Sequence, residues 1–157
     1  MIHITVSCMH YLLPVELPTS LEIPLINFKV SAGFPSPAAD YVETRIDLNK
    51  ELIKNPSFTF FFYAEGDSMA PIIADGSLLI VDRKVAMTEG CVVVASINQE
   101  YCVKYLFKYP DGSIELRSEN PAYKSIFLSD EFEGEFEIFG CVTWFGQKPP
   151  NASRRSD

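Results

Sequence analysis

Apolar runs and turn signals alternate through the second half of the chain in a pattern that predicts β-strands. The runs are rich in β-branched and aromatic residues, which favour the pleated, half-buried surface of a sheet. Asp75-Gly76, Thr88 to Gly90, Pro110 to Gly112 and Glu133-Gly134 mark the turns between them. The predicted strands are FTFFFY (58 to 63), SLLIV (77 to 81), CVVVASI (91 to 97), YCVKYLF (101 to 107) and EIFGCVTWF (137 to 145). We therefore expect a mainly β fold.

The first part of the chain has a different pattern. Pro14, Pro18 and Pro24 interrupt it, which predicts an extended N-terminal arm rather than a packed helical domain. Ser36-Pro37 is a good helix start. Helical spacing follows it, and Asp47 is placed to cap a second short helix that ends at Leu52. The residues at helical spacing are Ala38, Tyr41, Val42, Arg45 and Ile46.

Composition and charge limit the classes of partner. The 157 residues are 47% hydrophobic, which suffices for one domain with a core. With 13 basic against 21 acidic residues and a net charge of -8, we expect no direct nucleic-acid binding and favour protein partners. No apolar run reaches the roughly 18 residues of a membrane span, and no secretory pattern is present. We therefore expect a cytoplasmic protein without a membrane anchor.

Cysteine and histidine patterns argue against a metal site. Cys8, Cys91, Cys102 and Cys141 show no CxxC pairing, and only two histidines could join them. We expect no metal and no cofactor. Both histidines, His3 and His10, lie in the proline-interrupted arm, which makes a Ser-His-Asp triad improbable.

A buried, unprotonated lysine is the remaining way to activate a serine near neutral pH. Lys104 is a candidate because its neighbours in YCVKYLF are apolar or aromatic. Two-residue alternation places Cys102, Lys104 and Leu106 on one face of the strand. Lowering a lysine pKa from about 10.4 to about 7 requires roughly 4–5 kcal/mol, which desolvation in a cleft can supply. The alternative is a lysine whose stem covers apolar surface while its ammonium reaches water.

The candidate serine is Ser68, in AEGDSMAPIIADGSLLIVD (64 to 82). A strand ends at Gly66-Asp67, and a short apolar turn then leads to Asp75-Gly76 and the next strand. A serine in such a turn is exposed beside free backbone N–H groups, which could stabilise an oxyanion in acyl transfer. Taken alone, Gly-Asp-Ser-Met is more often an ordinary turn.

Three motifs together resemble the LexA and UmuD family of self-cleaving peptidases in order and approximate spacing. They are AGFPSPAADYVETRIDLN (32 to 49), GDSM (66 to 69) with the following DG and LLIVD, and VK (103 to 104) in a strand. The resemblance implies a compact β-strand peptidase fold, with Ser68 as nucleophile and Lys104 as general base. By the same resemblance Ala32-Gly33 is the scissile pair, and backbone N–H groups of Asp67 and Ser68 stabilise the oxyanion.

The resemblance also implies a domain organisation and partners. Residues 1–32 would be an arm removed by self-cleavage, followed by a linker with short helices (33–57), a peptidase and dimerisation domain (58–146) and a disordered polar tail (147–157). Family members of the UmuD type are homodimers, and a RecA filament on single-stranded DNA stimulates their cleavage. The shortened form joins a UmuC-type DNA polymerase in SOS mutagenesis and translesion synthesis.

Other functions remain open at this point. A LexA-type or phage repressor would share the peptidase motifs but needs a DNA-binding domain before the cleavage site, which 32 proline-broken residues do not predict. A signal peptidase also uses serine and lysine but needs a membrane anchor. A non-enzymatic polymerase-binding module would keep the fold without using Ser68.

Overall fold

The fold of the chain was obtained as a computed structural model, which describes residues 20–26 and 43–149. The described part is mainly β, with two antiparallel sheets, and this confirms the predicted fold class. Strands β1 (Ile23–Ile26) and β2 (Glu43–Ile46) form the smaller sheet, with Ile23 opposite Ile46. They are followed by a short helix, α1 (Leu48–Leu52), and a single 3-10 turn at Pro56–Phe58.

The larger sheet has seven strands in the order β3-β4-β9-β5-β6-β7-β8. All its pairings are antiparallel. Its strands are β3 (Thr59–Tyr63), β4 (Leu78–Asp82), β5 (Val92–Ile97), β6 (Glu100–Lys108), β7 (Ile114–Arg117), β8 (Ile126–Leu128) and β9 (Phe136–Gly146). The five predicted strands are confirmed as β3, β4, β5, β6 and β9, while the short strands β7 and β8 were not predicted.

A cluster of buried apolar side chains lies on each face of this sheet. Because adjacent residues of a strand point to opposite faces, Val93 and Val94 belong to different clusters. In β6, Cys102 and Leu106 pack with one cluster while Val103 and Tyr105 pack with the other, which confirms the predicted alternation. One cluster contains Met69, Ile73, Leu79, Val81, Val94 and Phe139, and the second contains Val93, Ala95, Leu106, Leu116 and Leu128.

The central strand β9 joins the two halves of the larger sheet by pairing with both β4 and β5. Its register shifts opposite Ile80/Val81 and again opposite Val94/Ala95. Gly140 lies at this crowded point, where an added Cβ would come within 2.9 Å of Val81 Cγ1 and 3.1 Å of the Asp82 carbonyl oxygen. A glycine is therefore required for the close approach of β4 and β9.

The prediction of one helix reaching Arg45 and Ile46 is wrong, since both residues lie in β2. The β-branched residues Thr44 and Ile46 suit a strand, and backbone pairing with β1 supplies long-range hydrogen bonds that local spacing does not reveal. The start of that predicted helix, from Ser36 to Val42, lies outside the described residues. The second predicted helix is confirmed, because the Asp47 side chain accepts a 3.0 Å hydrogen bond from the Asn49 N–H at the start of α1.

Candidate active site

Ser68 lies in the connection between β3 and β4, in a turn held closed by its own backbone. The Ala64 N–H donates to the Ser77 carbonyl and the Gly76 N–H to the Ala64 carbonyl, each at 2.8 Å. Just after the serine, Met69 and Ile73 are almost fully buried in the core. Because Met69 and Ile73 are packed into the core, they hold the turn in place. Ser68 itself remains partly exposed.

Lys104 lies in the middle of β6, opposite the fully buried Val93 of β5. Only 7% of the lysine is exposed, although lysine is almost never buried without a partner. No carboxylate among the described residues forms an ion pair with Lys104. The lysine is therefore buried without an ion pair in the part of the chain that the structure describes.

The structure brings the two predicted residues together. Lys104 Nζ lies 2.7 Å from Ser68 Oγ, a hydrogen-bonding distance between atoms 36 residues apart in sequence. Burial lowers the pKa of Lys104, and the neighbouring Cys102 opposes this only in part. Burial also raises the pKa of the Cys102 thiol, so that this side chain is uncharged at neutral pH. The arrangement favours an unprotonated amine that can accept the Ser68 hydroxyl proton.

A cleft of about 260 Å³ opens beside these two atoms. Most of its wall is apolar or aromatic, which supplies the desolvation of Lys104 and suits an extended peptide with small side chains. Phe62 and Tyr101 both belong to this wall, and their ring centroids lie 6.0 Å apart. The lining also includes Tyr63, Ala64, Glu65, Gly66, Met69, Ile73, Val94, Cys102 and Val103.

Two site residues were missed by the sequence analysis. Asn120, after β7, donates its backbone N–H to the Ser68 carbonyl at 3.0 Å and its side-chain Nδ2 to the Asp67 carbonyl at 3.2 Å. The hydroxyl of Tyr123 donates to the Asp67 carboxylate. These bonds link residues more than fifty positions apart, and a polar residue in an Asn-Pro turn gives no local sign of its partner.

The remaining predicted site residues lie only partly within the described residues. Asp67 lies in the same turn as Ser68, whereas Ala32 and Gly33 lie outside the described residues. The ends of the segment that carries them are paired, with Ile26 opposite Glu43. In the described ranges no group of three or more His, Cys, Asp or Glu side chains is placed to bind a metal. No helix there is long and apolar enough to cross a membrane.

Comparison with known proteins gives the class and the family. The family described as Peptidase S24-like matches residues 24–143. Protein SamA of Salmonella typhimurium is 40% identical over 136 residues, which cover 86% of this chain and 92% of SamA. Protein ImpA of Shigella flexneri is 39% identical over 76% of this chain and 80% of its own length, and protein MucA of Escherichia coli is 36% identical over 78% and 82%.

The mainly β fold and the matching family define the class of this protein as a serine peptidase. Within that class, the chain belongs to the Peptidase S24-like family.

Proposed function

We propose that this protein cleaves itself between Ala32 and Gly33, with Ser68 as nucleophile and Lys104 as general base. The observation that carries this proposal is the 2.7 Å distance between Lys104 Nζ and Ser68 Oγ, combined with the burial of that lysine without an ion pair to any described carboxylate. A hydroxyl becomes nucleophilic only when a nearby group takes its proton, and a desolvated amine can do this near neutral pH.

The proposed reaction has two steps. The Ser68 hydroxyl proton moves to Lys104 Nζ while Oγ bonds to the Ala32 carbonyl carbon, and the new oxyanion is stabilised by the backbone N–H groups of Asp67 and Ser68. The C–N bond to Gly33 then breaks, and Lys104 returns its proton to the departing amine. A water molecule then attacks the ester between Ser68 and Ala32 while Lys104 takes its proton. Lys104 passes that proton to Ser68 Oγ as the ester bond breaks, which releases the arm and restores both the serine and the neutral amine.

The local sequence of the scissile pair fits this cleft. Ala32 has a small side chain and Gly33 has none, which permits a close approach to a serine set between apolar walls. In this proposal residues 1–32 are the removable arm, 33–57 the linker, 58–146 the peptidase and dimerisation domain, and 147–157 a polar tail.

The biological setting is proposed from the relatives and the resemblance. SamA, ImpA and MucA resemble this chain over most of their length. We place the protein in the SOS mutagenesis response as a cytoplasmic homodimer. A RecA filament on single-stranded DNA would favour the conformer with the bond seated in the cleft, which is a shift of population. The shortened form would then serve as the accessory subunit of a UmuC-type translesion polymerase.

Incubation of the purified protein from pH 7 to pH 10 tests the reaction. We expect a fragment that begins at Gly33, identified by intact mass and N-terminal sequencing, with a rate that rises with pH as Lys104 loses its proton. Ser68→Ala and Lys104→Ala should each lower the rate about a thousand-fold or more.

Two matched control substitutions change another lysine and another serine of the same domain. Lys108→Ala changes the exposed last residue of β6, and Ser113→Ala changes a serine in the turn before β7. Both variants should cleave like the parent protein. A chain that stays intact at every pH would instead favour the non-enzymatic polymerase-binding module, and cleavage that survives in both dyad variants would exclude the assigned residues.

A further inference from the structure

Asn120, in the loop after β7, holds the backbone of the turn that carries Ser68. Two successive carbonyl groups of the turn, those of Asp67 and Ser68, accept hydrogen bonds from Asn120 Nδ2 and from the Asn120 N–H. The Asp67 carbonyl also accepts from the Ala70 N–H at 3.0 Å. Asn120 thus holds the backbone on both sides of the Ser68 Cα.

Asn120 is itself held rigidly. Its Oδ1 accepts a 3.0 Å bond from the Ala122 N–H, and its carbonyl accepts a 3.1 Å bond from the Tyr123 N–H. Tyr123 in turn reaches back to the Asp67 carboxylate. The loop after β7 and the Ser68 turn therefore form one hydrogen-bonded unit, with Asn120 at the junction.

Because a peptide group is planar, these contacts also fix the direction of a backbone hydrogen-bond donor. In a trans peptide the carbonyl of one residue and the N–H of the next lie in one plane and point in opposite directions. When Asn120 fixes the Asp67 carbonyl, it also fixes the Ser68 N–H, which then points away from Asn120. Within the described part of the chain no hydrogen bond uses the Ser68 N–H as donor. This donor is therefore available to a bound group.

We propose that Asn120 is a positioning residue, which aims the Ser68 N–H at the oxyanion and fixes the Ser68 Cα relative to Lys104. This inference rests on the proposed self-cleavage. Asn120 touches neither the substrate nor the reacting atoms, and it acts through the backbone of the turn. Removal of an oxyanion donor costs about 100- to 1000-fold in rate, and a misdirected donor should cost less.

The test compares pH–rate profiles of self-cleavage for the parent protein and Asn120→Ala. We expect the alkaline plateau to fall about 10- to 100-fold, because the oxyanion donor is no longer aimed. The pH midpoint should stay close to that of the parent, because Asn120 does not belong to the apolar wall that desolvates Lys104. A second variant, Asn120→Asp, keeps the acceptor for the Ala122 N–H and loses the donor to the Asp67 carbonyl, and its alkaline plateau should fall as well.

Asn98→Ala is the matched control for a loss of stability. Asn98 lies in the turn between β5 and β6, has a positive φ of 49° and accepts a hydrogen bond from the Glu135 N–H. Its change should lower stability without altering the rate of the folded fraction. The inference is overturned if Asn120→Ala keeps the parent plateau, or if its plateau falls only as far as its unfolded fraction explains. Self-cleavage that persists in Ser68→Ala would instead overturn the proposed function itself.

Discussion

Lys104 and Glu115 are two buried ionisable residues on neighbouring strands, and their surroundings give them opposite properties. Lys104 in β6 is 7% exposed and Glu115 in β7 is 4% exposed. Glu115 accepts two bonds from Arg117, at 2.8 and 3.0 Å, and a third at 2.6 Å from the Tyr109 hydroxyl. Lys104 has one described polar contact, the Ser68 hydroxyl.

The pKa values follow from these partners. The hydrogen bonds from Arg117, together with those from Ser125 and Tyr109, lower the pKa of Glu115 to about 2, which keeps it ionised. Burial lowers the pKa of Lys104, which forms no ion pair among the described residues, and this favours its neutral form. Burial alone therefore does not define a functional residue. A buried charge with a full set of partners contributes to the structure, whereas one with only a hydroxyl beside it is available for proton transfer.

Among changes to the surroundings of these two buried groups, the largest effect is expected from placing a carboxylate beside Lys104, which forms no ion pair among the described residues. Cys102 lies two residues before Lys104 on β6 and lines the same cleft. In Cys102→Asp the new carboxylate should raise the pKa of Lys104, because an opposite charge favours the ammonium form. Self-cleavage at pH 7 should then fall about 10- to 100-fold and recover at alkaline pH, measured by timed electrophoresis.

Cys102→Ser is the control for this change, since it keeps a small polar side chain and adds no charge. Its rate at pH 7 should stay within a few fold of the parent. An equal loss in both variants, or a loss in Cys102→Asp that alkaline pH does not restore, would show that the cleft was damaged and that charge at Lys104 was not the cause.

An intermediate effect is expected when Glu115 loses its charge. Glu115→Gln should lower the free energy of unfolding at pH 7 by about 1–3 kcal/mol, because a buried hydrogen-bonded carboxylate is replaced. The folded-state pKa of Glu115 lies below its unfolded value near 4.5, so its contribution is present above that pH and is lost as pH falls toward 2. The gap between parent and variant should therefore narrow over this window in urea unfolding curves.

The same variant separates the two buried groups by function. In the folded protein Glu115→Gln should leave the self-cleavage rate at pH 7 unchanged, because Glu115 is not a residue of the cleft. A large loss of cleavage rate in a fully folded Glu115→Gln variant would show that Glu115 also affects catalysis, and this would contradict the separate roles given to Glu115 and Lys104.

The smallest effect is expected at Lys50, an exposed lysine with two carboxylates nearby. Its Nζ lies 3.8 Å from both Glu22 and Asp47, and its side chain is 66% exposed. Lys50→Ala should lower the free energy of unfolding by less than about 1 kcal/mol, and added salt should reduce the difference further. Urea unfolding at low and high salt measures this. A loss as large as that of Glu115→Gln would contradict the importance given to burial.

Much of the fold was predictable from local patterns, and the exceptions have physical reasons. The long apolar runs of β4, β5, β6 and β9 carry their own strand signal. Strands β7 and β8, with four and three residues respectively, are too short for a periodic pattern, and they exist because of the neighbours with which they pair. In β2 the pairing with β1 overrides the helical spacing of Arg45 and Ile46.

The site likewise contains residues that local patterns predict and residues that they do not. Ser68 and Lys104 were predicted because a turn and an apolar strand each carry a recognisable motif, and the structure brings their side chains together. Asn120 and Tyr123 were not predicted, because their roles depend on hydrogen bonds that form only in the folded chain. The partners of Glu115 could not be deduced either, since its burial depends on the position of β7 inside the sheet.

The charge state of Lys104 is the centre of this account, and a direct titration measures it. The ¹³Cε resonance of Lys104 would be followed from pH 6 to pH 12 in Ser68→Ala, which cannot cleave itself in the proposed reaction, and assigned by comparison with Ser68→Ala/Lys104→Arg. We expect a midpoint well below the ordinary lysine value of about 10.4. A midpoint at or above that value would show an ordinary ammonium group, and Lys104 could not then be the base.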